Sequence, residues 1–182
     1  MKVNLYTDAG VRNGVATWGA VCAPKGRERV ERCGRMREDL KDTTAAELRA
    51  MANGLHSMLR AGVIQRGDEV KLFCDNQDAV AKLNGATPMK REKQARHRDA
   101  VGKVLDMAAL AGVKVKGAHV KGHQKLNSTC PHAPFNRRAD KLCTLAREAV
   151  EIPAPIRASV APPRVTRARK ALEIARKLEG RG

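Results

Sequence analysis

The feature that most constrains this chain is a change in the period of its apolar residues. Val3, Leu5 and Thr7 alternate with Asn4 and Tyr6, the period of two that a strand requires. From Thr44 onward, Leu48, Met51, Ala52, Leu55, Met58 and Leu59 recur at three- and four-residue steps, which gathers them on one helical face. Between the two regimes, Gly10, Asn13 and Gly14 mark one turn and Pro24, Lys25 and Gly26 another. Residues 16–23 and the more polar 28–36 therefore read as second and third strands. Three consecutive strands on short turns predict an antiparallel meander. Beyond the helix at 44–59, residues 70–74 predict a fourth strand and 76–83 a short helix broken at Gly85 and Pro88. A basic helix follows, with Val101, Val104, Leu105 and Ala108 on one face, and Gly112 ends it. Residues 113–120 read as a fifth strand. A closing helix carries Ala139, Leu142, Cys143, Ala146, Ala149 and Val150. Strand–helix–strand crossovers favour parallel pairing. The expected fold is α/β: a five-stranded mixed sheet, three antiparallel strands then two parallel, flanked by helices.

Residues 1–150 are expected to form the main domain, which includes that sheet. Pro153, Pro155, Pro162 and Pro163 make 151–163 an extended linker, and 164–182 a basic tail with a weak helical stripe. The chain carries 36 Lys+Arg against 19 Asp+Glu, a net charge of +17, which draws in a polyanion and makes its binding salt-sensitive. The tail holds eight basic and three acidic residues, so most of the excess belongs to the main domain. Charge names a class of partner and no activity. Aromatic residues are only 2%, so the core must be built from Val, Leu, Ala and Met.

No run of about 18 apolar residues is present, so no membrane span is expected. The N-terminus lacks the apolar run of a signal peptide. The five cysteines are scattered without a Cys-x-x-Cys, which suggests reduced thiols and a cytoplasmic location; a monomer is expected. His119, His123, Cys130 and His132 match no common zinc spacing and read as ordinary strand and loop residues. His97 and His56 are expected to be packed or partly buried on their helices.

Asp8 is expected at the end of the first strand and Asp75 at the end of the fourth. If those strands are parallel neighbours, both carboxylates emerge at one edge of the sheet, where open α/β sheets commonly bind ligands. Each residue taken alone is equally a turn former or helix cap. Glu47 has a rival role of its own. Thr44-Ala45-Ala46-Glu47 matches a capping box, in which Glu reaches back to the N-cap amide. It also lies at the margin of the apolar stripe, from where it could point toward Asp8. Asp140 is expected in the first turn of the last helix, with Asn136 as N-cap. His123 falls in the loop after the fifth strand. Four carboxylates converging in a strongly basic protein repel one another and are stabilised by divalent cations, and oxygen-only ligation suits Mg²⁺ or Mn²⁺. Two such ions about 4 Å apart activate a water and stabilise the leaving oxygen in phosphodiester cleavage.

These residues resemble the type 1 ribonuclease H family over residues 2–150. The resemblance rests on Tyr6-Thr7-Asp8, Thr44-Ala45-Ala46-Glu47-Leu48, Cys74-Asp75-Asn76-Gln77, Val120-Lys121-Gly122-His123, and Asn136-Arg137-Arg138-Ala139-Asp140-Lys141-Leu142. It implies the RNase H-like fold, an endoribonuclease acting on the RNA strand of RNA–DNA hybrids, and two Mg²⁺ ions per site with Mn²⁺ as a substitute. It further implies Asp8, Glu47, Asp75 and Asp140 as metal ligands and catalytic residues, with Asp8 bridging both ions. His123 would aid proton transfer or product release, and Asn13 and Gln77 would contact the hybrid. Four departures touch substrate handling. Ala9 stands where the family has Gly, and the first turn is short. Thr43 and Thr44 replace paired asparagines, and residues 89–98 are basic without tryptophan. Two other functions remain open on the sequence: a structure-specific DNA nuclease or resolvase of the same superfamily, and a non-catalytic nucleic-acid binder on this fold.

Overall fold

The computed structural model describes residues 1–37, 40–89, 94–125 and 127–151. The expected linker and tail, from residue 152 on, and part of the basic segment 89–98 lie outside them. Met1–Glu151 is a compact unit.

The strands are β1 (Lys2–Arg12), β2 (Val15–Pro24), β3 (Val30–Arg35), β4 (Glu69–Cys74) and β5 (Lys114–His119); the helices are α1 (Thr43–Arg60), α2 (Gln77–Leu83), α3 (Ala95–Ala111) and α4 (Ala133–Glu151). The sheet runs β3-β2-β1-β4-β5, with β1–β2 and β2–β3 antiparallel and β1–β4 and β4–β5 parallel. The expected mixed sheet is therefore the observed one.

Strand alternation divides the core between two layers. Val3, Leu5, Ala20, Cys22 and Leu72 pack with Leu48, Met51, Leu55 and Met58 of α1. Tyr6, Val21 and Phe73 point the other way and pack with Ala139 and Leu142 of α4. Tyr6 stacks between Phe73 and Phe135, at centroid distances of 4.7 and 4.9 Å, and its hydroxyl lies 2.8 Å from His132 Nδ1. Three of the four Phe, Tyr and Trp residues of the chain thus form one stack that pins the approach to α4 on the sheet.

Four local expectations change. First, β1 does not end at Asp8 but pairs with β2 as far as Arg12. The hairpin closes at Asn13 and Gly14, both with left-handed φ (50° and 73°), the arrangement of a type I′ turn. Second, the N-cap of α1 is Asp42, whose carboxylate accepts from Ala45 N at 3.2 Å, so the capping box starting at Thr44 does not form. Third, α4 begins at Ala133, which places Asp140 two turns inside the helix. Pro134 in its first turn needs no amide partner there. Asn136 is accordingly a buried helical residue and no N-cap. Fourth, Leu105 and His56 are exposed, whereas His97 is buried as expected, with Nε2 2.8 Å from Asp42 Oδ2.

Candidate metal centre

The site forms where one ladder of the sheet stops. The β1–β4 ladder ends at Tyr6↔Phe73, while β1 continues against β2 and pairs Asp8 with Gly19. Beyond Tyr6, β1 therefore has one edge without a strand beside it. Through this gap, side chains from the α1 layer and the α4 layer come within reach of each other. Asp8 shares the parity of Tyr6 and so lies on the α4 side. Asp75 follows β4 directly, and Glu47 enters from α1.

Glu47 is buried despite its charge. Its Oε1 accepts from Ala9 N at 3.3 Å, and its Oε2 accepts from the Cys74 thiol at 3.4 Å. With Asp42 as N-cap, Glu47 faces the sheet and not its own helix terminus. Oxygen or sulfur atoms of Glu47, Cys74 and Asp75 lie within 4.8 Å of one another. Asp8 is also buried, and burial, reinforced by the charges of Asp75 and Asp140, pushes its carboxyl from 3.8 up to about 7. Glu47 is driven well above the ordinary carboxylate range by burial first, then by Asp8 and Asp75. The four carboxylates expected from the sequence are thus electrostatic neighbours. Asp75 is half-buried and Asp140 exposed, so the cluster opens to solvent on their side.

Two thiols border the cluster. Burial raises the Cys74 thiol well above its usual range, so it stays protonated and donates to Glu47. Cys143 donates to the backbone carbonyl of Asp8 at 3.0 Å and is likewise raised by burial. Both hold neighbouring groups in place and leave the carboxylate oxygens as the charged donors. Hard oxygen donors under mutual repulsion fit a divalent cation such as Mg²⁺ or Mn²⁺.

Two glycines make the approach possible, and the sequence reading passed over both. A Cβ on Gly19 would collide with Ala139 O and come within 2.8 Å of Leu142 Cβ, so α4 can lie this close to β2 only over a glycine. Gly19 is the residue opposite Asp8, and the close approach is what brings Asp140 to it. A Cβ on Gly122 would collide with Asp75 Oδ2, so the loop after β5 can pass the carboxylate only at that position. The available signal was a glycine inside an apolar strand run, which marks close backbone approach.

The remaining predicted residues sit around this centre. His123 follows Gly122, is exposed, and holds a left-handed φ of 46°, uncommon outside glycine. Gln77 is the exposed first residue of α2, two positions after Asp75. Asn13 lies in the β1–β2 turn, where its backbone conformation already accounts for an Asn. Thr44 bonds to Asp78 Oδ2 at 3.2 Å, and Asn76 Nδ2 lies 3.5 Å from its hydroxyl, which ties the start of α1 to α2.

No family model matches this sequence, and no curated protein does. Solved structures do. An RNase H1 from the halophilic archaeon Halobacterium salinarum is 20% identical at a TM-score of 0.63, covering 82% of this chain and 99% of its own. An RNase H1 solved in complex with an RNA/DNA hybrid is 18% identical at 0.62, with coverage of 82% and 99%. The N-terminal RNase H domain of a Mycobacterium tuberculosis protein is 19% identical at 0.60, with coverage of 80% and 98%. What these likenesses establish is the architecture: the chain has the RNase H-like α/β fold.

Proposed function

We propose that this protein is a metal-dependent endoribonuclease that hydrolyses the RNA strand of RNA–DNA hybrids. The observation that carries the reading is the meeting of Asp8, Glu47, Asp75 and Asp140 at the gap in the sheet, with two of the four buried and raised. Burying carboxylates beside one another costs stability unless something of opposite charge enters. In this basic protein none of the four has a lysine or arginine among the causes given for its shift. These four side chains would hold two Mg²⁺ ions, or Mn²⁺ in their place. When bound, the ions supply an activated water and neutralise charge on the phosphate.

The chain's own groups do the rest. Asp8 and Glu47 are fixed by packing and by bonds to Ala9 and Cys74, so the donor set is organised before substrate arrives. Exposed His123, held beside the site by Gly122, would move a proton at the departing oxygen. Gln77, and with it Asn13 at the hairpin tip, would contact the hybrid. A complex with such a hybrid is known for one of the structurally similar proteins. Residues 1–150 would be the catalytic domain, and the basic segment 164–182 a tethered phosphate contact that raises local substrate concentration. No described helix is long and apolar enough to cross a membrane.

The test is incubation of the full chain with labelled RNA–DNA hybrid, RNA duplex, DNA duplex and a four-way DNA junction, with Mg²⁺ or Mn²⁺. Asp8→Asn is run beside it to exclude a contaminating nuclease. Cleavage of the hybrid alone, lost in the variant, is the expected result. Cleavage of the junction with the hybrid intact would transfer the site to DNA resolution. Tight binding without cleavage of any substrate under either metal would reduce the protein to a binder.

A further inference from the structure

A groove of about 850 Å³ lies on the outer side of α1, walled by β3 with the residues after it and by α3. It is remote from the carboxylates at one end. Arg60, which lines it, is thirteen residues beyond Glu47, roughly 20 Å along the helix axis. Its rim is cationic: Arg32, Arg35 and Arg37 on one wall, Arg60 on the other. Arg49 and Lys103 also line it and share Asp99, at 2.5 and 3.4 Å, while Asp106 is the one acid among the lining residues. The floor is apolar, made by Trp18, Met36, Leu40 and Met107, with Leu110 standing 88% exposed at the edge.

We propose that this groove docks an acidic, amphipathic peptide segment of another protein. An apolar floor inside a cationic rim is complementary to a chain that carries carboxylates beside one or two large apolar side chains. Methionines on the floor adapt to side chains of different shape. The charge excludes the nearest alternatives within the molecule. The tail at 164–182 is itself basic, and a second copy brings a net charge of +17, so both are repelled by the rim. A single-stranded nucleic acid fits less well, because sequence-tolerant strand binding relies on successive aromatic platforms. Here Trp18 and His56 are the only rings among the lining residues.

Trp18 is the sole tryptophan of the chain, so its fluorescence reports on the groove alone. The full-length protein is titrated with a short synthetic peptide bearing a run of Asp followed by Leu and Phe, with the same peptide carrying Asn for Asp, and with oligothymidylate. The acidic peptide is expected to change the Trp18 emission saturably and to bind more weakly as salt rises. The Asn peptide is expected to bind at least about tenfold more weakly. Arg35→Glu combined with Arg60→Glu, and separately Leu110→Asp, should each weaken the acidic peptide by about tenfold with unchanged far-ultraviolet circular dichroism. No saturable change, equal binding of the Asn peptide, or insensitivity to both sets of substitutions would overturn the proposal. So would oligothymidylate saturating the Trp18 signal at lower concentration than the peptide, which would make the groove a nucleic-acid site. None of these outcomes depends on whether the carboxylate centre cleaves RNA.

Discussion

Replacing Asp8 by Asn removes one charge from a place where three other carboxylates already compete. In the metal-free protein the Asp8 carboxyl rises from 3.8 to about 7, mainly through burial and secondarily through Asp75 and Asp140. A carboxyl raised on folding binds its proton more tightly in the native state than in the unfolded chain. Its contribution is fully present below the unfolded pKa near 4 and is lost as pH rises through about 7. Three pH units at about 1.4 kcal/mol each bound that loss at roughly 4 kcal/mol. Glu47 shifts in the same direction, so wild type should soften steadily from pH 4 toward pH 8. Asn carries no charge at any of these values, and Asp8→Asn should lose much of the slope. At pH 8 in chelator, the variant should exceed wild type by about 2–4 kcal/mol, or some 5–10 °C in melting temperature for a unit of this size. At pH 4 the two should nearly coincide. Added Mg²⁺ should recover most of the difference in wild type and little in the variant. Urea or thermal unfolding at each pH unit from 4 to 8, with chelator and with Mg²⁺, measures all of this. Parallel pH curves for the two proteins, or a variant less stable than wild type at pH 8, would refute the reasoning.

Gly122→Ala drives a methyl into Asp75 Oδ2 and should cost at least about tenfold in hybrid cleavage while shifting the melting temperature little; unchanged cleavage would remove Asp75 from the reactive geometry. Gly19→Ala forces α4 off β2, so it should destabilise by about 1–3 kcal/mol in denaturant titration and weaken divalent-metal binding measured by calorimetry. Glu47→Gln should stabilise the metal-free protein at pH 8, as judged by its melting temperature, and abolish cleavage of hybrid. Deleting residues 151–182 should lower hybrid affinity at moderate salt and flatten its salt dependence, with the single-turnover rate nearly unchanged; an unchanged salt slope would exclude the tail as a phosphate contact.

The sheet was legible because period two and short turns act locally, and the crossover through α1 left parallel pairing of β1 with β4 as the favoured arrangement. Boundaries were less legible where two local signals competed. Asp42 and Thr44 are both acceptable N-caps, and only the tertiary position of α1, with Asp42 also against His97, decides between them. That choice changes the role open to Glu47. A Glu three residues beyond its cap turns back to the helix terminus, whereas one five residues beyond Asp42 can face the sheet. The start of α4 was hidden by Pro131 and Pro134, which look like loop residues until the helix is seen to absorb Pro134 in its first turn. Leu105 shows the opposite failure, an apolar residue assigned to a stripe that packs without it. Gly19 and Gly122 act through the absence of a side chain. Nothing in their neighbours' chemistry announces which backbone will pass over them.

The carboxylate centre also bears on how a protein of net charge +17 handles a polyanion. Long-range attraction comes from the total charge, and the Debye length near physiological salt, about 8 Å, confines each local field to its own neighbourhood. Within that distance of Asp8 the field is negative, because Glu47, Asp75 and Asp140 outweigh the distributed basic residues there. A phosphate drawn to the surface would therefore be repelled at the place where it must react. Partial protonation, indicated by the raised Asp8 and Glu47, lessens that repulsion and brings no chemistry with it. A divalent cation removes it and supplies the chemistry in one step, which makes metal occupancy a condition for productive binding as well as for cleavage. Hybrid affinity measured with Mg²⁺ replaced by chelator at constant ionic strength should then fall for wild type. For a variant with Asp8 and Asp75 both changed to Asn, affinity in chelator should exceed that of wild type, since the local repulsion is gone while the basic surface remains.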